Sequence, residues 1–333
     1  MAPVPDGSLI LVTGVNGYLG SHIAKELLHQ GFRVRGTVRE AYKAEYMHGL
    51  FDEKYGSDAF TTCIVEDMAT TGAFDDVVKG CSGIIHVASD VCGITDPNKV
   101  IPVAAAGVQN ALAAAARETS VKRFVLTSSS AACSFPCPDN GAPIDVTSWS
   151  DPRDDVVWAP PPYHEDRLMP VYIASKVTTE KSCWRFMEEN KPSFTFNAVL
   201  PPWVLGTILS EQQPASSAGV FRKLWQGDED AAVFLKNALV EFYINITDVA
   251  VLHAAALREV DVEGERLLAF GGKIDIDDTI RVFLRLRDGG DGFAEFDTTS
   301  KGYVNKTVVT ERCRELLRRY GRPGFTSEAG LRA

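Results

Sequence analysis

Positive charge is in short supply in this chain: 34 Lys and Arg stand against 44 Asp and Glu, for a net charge of −10. A surface so biased repels polyanions, which argues against nucleic acid and anionic lipid as partners and requires any bound anion to be held by local geometry. Long hydrophobic runs are also missing. The most apolar stretch, Val100 to Ala116, is interrupted by Pro, Gly, Gln and Asn and falls short of the roughly 20 residues a membrane helix needs. The opening segment MAPVPDGSLILVTG has no basic n-region, and its four-residue apolar run stops at a Thr-Gly turn, the pattern of a strand rather than a signal peptide. The seven cysteines are an odd number without framework spacing, and Cys133 and Cys137 of CSFPC lack a second pair to complete a zinc site. Free thiols in a reducing compartment, no metal and a cytoplasmic location are therefore expected. There is no repeat of fixed period and no low-complexity tail.

What is present is an ordinary globular composition. Of 333 residues, 45% are hydrophobic and 23% charged, enough for one large or two intimate domains, since single cores stop growing near roughly 250 to 300 residues. SLILVTG, FRVRGTV, CIVEDM, GIIHVAS, KRFVLTSSS and FTFNAVLPP read as six short strands. HIAKELLHQG, AAAGVQNALAAAARE and NITDVAVLHAAAL carry helical spacing, the first stopping at Gly31. Strands and helices in alternation predict right-handed crossovers and a doubly wound parallel α/β sheet of Rossmann type. Residues 7–200 and 241–270 are assigned to that nucleotide-binding domain, and 201–240 with 271–333 to a smaller, discontinuous substrate domain. The long proline-rich stretch from Pro136 to Pro170 is expected to be a functional loop.

In VTGVNGYLGSH, glycines at 14, 17 and 20 follow a strand and open a helix. Glycine lets the backbone turn tightly and lets a pyrophosphate approach the helix N-terminus, where free amides and the dipole favour an anion. Gly14, Asn16, Gly17, Tyr18 and Leu19 are thus expected to hold a dinucleotide. The second strand exits through Arg35, Gly36, Thr37, Val38 and Arg39, with Lys43 beyond. Arginines at this edge suit a 2′-phosphate, which makes NADP the expected cofactor, the alternative being a solvated basic rim. Asp67 and Met68 are placed at the adenine edge, with a turn-forming Asp67 as alternative; Ala88 and Ser89 are placed beneath the pyrophosphate.

Tyr172 and Lys176 in VYIASK share a helix face. A phenol is a poor proton donor at neutral pH, but an ammonium at roughly 4 Å in an effective dielectric near 20 is worth about 4 kcal/mol, or about 3 pK units on a phenolate. Alone, the pair is a common coincidence. Near it, RFVLTSSS offers a serine to orient a carbonyl.

GxxGxxG, TSS and YxxSK together resemble the extended short-chain dehydrogenase/reductase family over nearly the whole chain, down to GRPGF. VRGTVR, VKRFVLTSS, VYIASK, FMEENKP, FNAVLP and LRRYGRPGF are most similar to fungal NADPH-dependent aldehyde and ketone reductases and to dihydroflavonol reductases. The resemblance implies Ser129 as carbonyl-orienting residue, Tyr172 as proton donor and Lys176 as ribose ligand and pKa modifier. It also implies Arg39 and Lys43 at the 2′-phosphate, and Pro201 and Pro202 beside the nicotinamide. Asn110 is implied as a structural or proton-relay residue, with packing or helix capping as the alternative. The choice among Ser128, Ser129 and Ser130 rests on alignment of TSS alone. Phe135, Tyr163, Trp203 and Trp225 are candidate pocket walls. The expected activity is NADPH-dependent reduction of a small-molecule carbonyl by a monomer or homodimer. A nucleotide-sugar epimerase or dehydratase and a non-catalytic NADP-sensing regulator are the alternatives.

Overall fold

The computed structural model describes residues 3–89, 93–134, 142–213, 217–237, 242–274 and 307–326. The first half alternates strictly: β1 (Leu9–Thr13), α1 (Tyr18–His29), β2 (Arg33–Val38), α2 (Tyr42–Tyr55), β3 (Phe60–Ile64), β4 (Gly83–His86), α3 (Pro97–Arg117) and β5 (Arg123–Thr127). A single helical turn, α4 (Asp154–Val157), precedes α5 (Leu168–Asn190) and β6 (Thr195–Leu200). There follow β7 (Trp203–Leu205), α6 (Ser217–Trp225), α7 (Glu229–Asn237), β8 (Phe242–Asn245), α8 (Ile246–Arg258), β9 (Arg266–Leu268), β10 (Gly272–Lys273) and the C-terminal helix Glu311–Arg319.

Seven parallel strands form one sheet in the order β3-β2-β1-β4-β5-β6-β9. The order reverses at β1, so crossovers on its two sides cover opposite faces. The sequence shows why both faces are dry. Along β5, Phe124 and Leu126 enter the core with α3 and α5, whereas Val125 enters the core with α1 and α8. Successive residues of a strand point oppositely, so a run buried on both sides must be apolar throughout. A second, three-stranded sheet of order β10-β8-β7 lies beyond β6.

Three boundaries differ from the sequence expectation. The third strand is Phe60–Ile64, so Asp67 and Met68 lie in the turn after it rather than at its end. The parallel strand β9 was not anticipated; ERLLAF offers three paired residues and no helical or alternating signal. The stretch from Pro136 to Pro170 is not wholly loop, since it holds α4 and the first residues of α5; its residues 136–141 lie outside the described ones. Helix α3 is long and apolar enough to cross a membrane by composition, yet it carries Pro102 and packs with α5. Among the described residues, Cys63, Cys81, Cys133, Cys183 and Cys313 are free thiols.

One glycine fixes how α1 leaves β1. A Cβ on Gly20 would lie 2.4 Å from the Gly14 carbonyl oxygen, a contact with backbone that cannot rotate away. Gly20→Ala is expected to lower the unfolding free energy by about 1–3 kcal/mol through this overpacking, read as a lower urea midpoint at unchanged slope.

Candidate active site

The turn between β1 and α1 is built from backbone. Gly14 has φ +63°, and a Cβ there would sit 3.1 Å from the Ala88 Cα. Its amide donates to Thr37 Oγ1 at 3.2 Å, while Thr13 Oγ1 accepts from the Val87 and Ala88 amides at 3.0 Å each. The carboxyl ends of β1, β2 and β4 are thus pinned together by two threonines whose role the sequence did not reveal. Gly17 caps α1 without any side-chain cap, leaving the first-turn amides without intrahelical partners, the arrangement that binds anions. The side chains of this turn serve the fold. Tyr46 donates to the Asn16 carbonyl at 2.6 Å. Tyr18, buried, donates to the Gly206 carbonyl at 2.9 Å, with burial raising its pKa. Leu19 packs against the core. The side chains of Tyr18 and Leu19 are thus turned into the fold, and the Asn16 carbonyl is taken by Tyr46.

At the exit of β2 the basic residues divide. Arg35 turns away, donating through Nη1 to the carbonyls of Val77 (2.8 Å) and Lys79 (2.9 Å), so it is a structural arginine rather than part of a phosphate site. Arg39 lies exposed just past the strand. Lys43, in the first turn of α2, pairs with Glu40 at 2.9 Å, which raises its pKa. Asp67 accepts from the Ala69 amide at 2.8 Å and the Thr70 hydroxyl at 3.2 Å, so both of its oxygens already shape their own turn. Met68 lies against Gly107 of α3, where a Cβ would come within 2.8 Å of its Cγ. Asn110 donates to the carbonyls of Met68 and Thr70, both at 3.0 Å, which ties that turn to α3.

The second cluster forms where β4, β5 and β6 end. On α5, Tyr172 donates to Ser129 Oγ at 3.2 Å, and Lys176 Nζ lies 5.8 Å from the Tyr172 ring centre. Lys176 is 8% exposed and donates to Ser89 Oγ at 3.3 Å, so the fourth strand's exit and the catalytic helix meet at one ammonium. The three serines separate cleanly. Ser129 faces Tyr172, its hydroxyl also accepting the Ala131 amide at 3.1 Å. Ser128 points the other way and donates to Glu180 Oε2 at 2.6 Å. The Ser130 amide donates to the Pro201 carbonyl at 2.9 Å, which places the Pro201–Pro202 turn against the serine segment. A small cleft opens here between His86, Ala88, Ser89, Thr127 and Lys176. Burial, and then the Lys176 charge, push the His86 imidazole down to about 3, so His86 is neutral at neutral pH. His86, Glu180 and Arg266 were not singled out from sequence. For Glu180 a signal existed, four residues after Lys176 on one helix face.

Of the candidate pocket walls, Trp203 meets Phe221 and Phe234 edge-on at 6.0 and 6.2 Å between centroids, and Trp225 ends α6 at 38% exposure. Tyr163 is held in its loop by Asn98 and by the Arg167 guanidinium over its ring. Phe135 lies outside the described residues.

Comparison with known proteins agrees with this geometry. The NAD dependent epimerase/dehydratase family profile matches residues 10–269. A protein named NAD-dependent epimerase/dehydratase terH from Aspergillus terreus is 39% identical over 97% of this chain and 94% of its own length. Aldehyde reductase 2 of Sporidiobolus salmonicolor is 38% identical over 98% of this chain and 94% of its own. The crystal structure of Gre2 in complex with NADPH from Candida albicans has the same fold, with a TM-score of 0.80 at 23% identity over 98% of this chain and 97% of that one. The chain therefore belongs to the NAD dependent epimerase/dehydratase family, the extended branch of the short-chain dehydrogenases and reductases.

Proposed function

We propose that this protein reduces an aldehyde or ketone to an alcohol with NADPH. The observation that carries the reading is the Tyr172 hydroxyl 3.2 Å from Ser129 Oγ, with Lys176 one turn on, beside a glycine turn that leaves helix-terminal amides open. The cofactor fits this chain's residues: the positive φ of Gly14 and the close backbone approaches at Gly14 and Gly20 shape a tight turn that leaves the first-turn amides of α1 without a side-chain cap. When bound, the dihydronicotinamide supplies the hydride. Ser129 and Tyr172 turn their hydroxyls onto the carbonyl oxygen, and Tyr172 delivers its proton as negative charge develops there. Lys176 favours the phenolate left behind. Gly14 and Gly17, the main chain of Asn16, Tyr18 and Leu19, and Ala88 and Ser89 hold the dinucleotide, with Asp67 and Met68 beside the adenine and Pro201 and Pro202 beside the nicotinamide. The substrate side is assigned to the segments 201–240 and 271–333, of which 214–216, 238–240, 275–306 and 327–333 lie outside the described residues, and the aromatic group around Trp203 suits a bulky apolar carbonyl. The five free described cysteines suit a cytoplasmic protein, working as a monomer or homodimer.

The test is consumption of NADPH with a panel of aldehydes and ketones; no loss of nicotinamide absorbance with any of them would sink the proposal. The 2′-phosphate reading is checked separately. Arg39→Ala is expected to lower kcat/KM for NADPH by about 10- to 100-fold, the ~1.5–3 kcal/mol of a charge-assisted hydrogen bond, and to leave NADH almost unaffected. An unchanged NADPH preference would remove Arg39 from the site. A relative named epimerase/dehydratase keeps one alternative open. A protein that retains NAD through purification and converts a nucleotide sugar without net change in nicotinamide would establish it.

A further inference from the structure

Beneath the serine segment lies a buried charged cluster that the reaction as described does not use. Glu180 is fully buried on α5, one turn beyond Lys176. Its Oε1 accepts from Arg266 Nε at 2.6 Å and from Trp184 Nε1 at 3.2 Å, and its Oε2 accepts from Ser128 Oγ at 2.6 Å. Arg266, 8% exposed on β9, donates through Nη1 to the carbonyls of Val146 (2.8 Å) and Ser148 (2.7 Å), and its guanidinium lies 3.9 Å from the Trp149 ring centre. Ser128 at the β5 exit and Arg266 of β9 therefore converge on one carboxylate of α5, and Arg266 links it to the loop at Val146–Trp149 within the Pro136 to Pro170 stretch.

We infer that Glu180 is a positioning residue, which through Ser128 fixes the orientation of Ser129 and through Arg266 ties the loop at Val146–Trp149 to it. The inference rests on Ser129 and Tyr172 acting as proposed above. β5 ends at Thr127; beyond it the Ser128 and Ser130 amides still donate to the Val199 and Pro201 carbonyls at 2.9 Å each, and the Ser129 hydroxyl is held by the Ala131 amide and Tyr172. Its neighbour is anchored by a short hydrogen bond to a carboxylate that cannot rotate, since both of its oxygens are occupied. Tyr172 and Glu180 sit on the same helix, so the carboxylate that sets the serine also rides with the proton donor. Such anchoring matters because a displacement of about 1 Å at a reacting group can cost on the order of 100-fold in rate.

The experiment compares Ser128→Ala with Ser129→Ala in the full-length protein, with kcat expressed per NADPH-binding site from a fluorescence titration. Ser129→Ala is expected to lose about 10²–10³-fold in kcat, as for removal of a donor to a developing oxyanion. Ser128→Ala is expected to lose about 10- to 100-fold in kcat at unchanged KM for the carbonyl and unchanged cofactor affinity. A merely structural serine lowers the number of binding sites and leaves kcat per site alone; that result, or a wild-type kcat, overturns the inference. Full activity in Ser129→Ala overturns instead the serine assignment on which it rests. If Ser128→Ala does not accumulate as folded protein, Glu180→Gln, which keeps the volume and an acceptor for Arg266, is judged by the same split between kcat and KM.

Discussion

Replacing Tyr172 by Phe is expected to lower kcat by about 10²–10⁴-fold, the usual contribution of a positioned general acid, while changing KM for the carbonyl and affinity for NADPH by less than a few-fold. The variant removes one oxygen. The ring keeps its packing against the cores that α5 shares with α3 and with the sheet, and Lys176 keeps its bond to Ser89. Ser129 retains the Ala131 amide as a partner, so the site loses its proton donor without losing its shape. An interaction made only as charge develops on the substrate appears in kcat and not in binding, which distinguishes this role from a ribose-holding one. Steady-state kinetics with the best carbonyl substrate, together with a cofactor titration, checks it. Turnover within a factor of ten of the parent would mean that another group delivers the proton. An active parent would by itself exclude a purely regulatory nucleotide binder.

The parts of this molecule legible in the sequence are those with local signatures. The β1–Gly–α1 turn is written in three glycines because only they fit its backbone. The central strands are written as unbroken apolar runs because both faces are covered. The Tyr172 and Lys176 pair is written in helical spacing. What was not legible depends on contacts across the sheet. Arg35 and Arg39 lie four residues apart in similar surroundings, and only the fold shows that Arg35 is engaged by the Val77 and Lys79 carbonyls. Asp67 was expected to end the third strand, but the strand stops at Ile64 and the Asp67 carboxylate shapes the turn that follows. The choice among Ser128, Ser129 and Ser130 could not be made from three identical residues. The fold distinguishes them: Ser128 is engaged by Glu180, 52 residues away in the chain, while Ser129 faces Tyr172.

Mild acid is expected to destabilise this protein strongly, through histidines rather than carboxylates. His22, His86 and His253 are buried, and burial pushes them down to about 4, 3 and 4. Their hydrogen bonds fix neutral tautomers. Thr13 Oγ1 already accepts two amides, so its proton goes to His86 Nδ1 at 3.3 Å. His253 donates from Nδ1 to the Val249 carbonyl at 2.7 Å and accepts the Thr127 hydroxyl at Nε2. Each folded pKa lies below the unfolded value of about 6.5, so the folded state binds fewer protons. The stability these groups contribute is complete above that value and is lost as pH falls through it toward the folded pKa. At pH 5 the loss is about 2 kcal/mol per histidine, or about 6 kcal/mol for three, against a total of order 5–15 kcal/mol. Between pH 7.5 and pH 5 the thermal midpoint should fall by about 9 °C. Carboxylates held low by arginines, such as Asp261 beside Arg319 and Arg312, titrate only at still lower pH and cannot produce this slope. His253→Gln, less stable at pH 7.5 but with about a third of the slope removed, isolates one contribution. A midpoint unchanged across the window would show that these imidazoles are charged in the fold. Because protonating His86 takes an acceptor from the threonine that holds the Val87 and Ala88 amides, NADPH affinity should weaken over the same window. The loss should track the thermal midpoint.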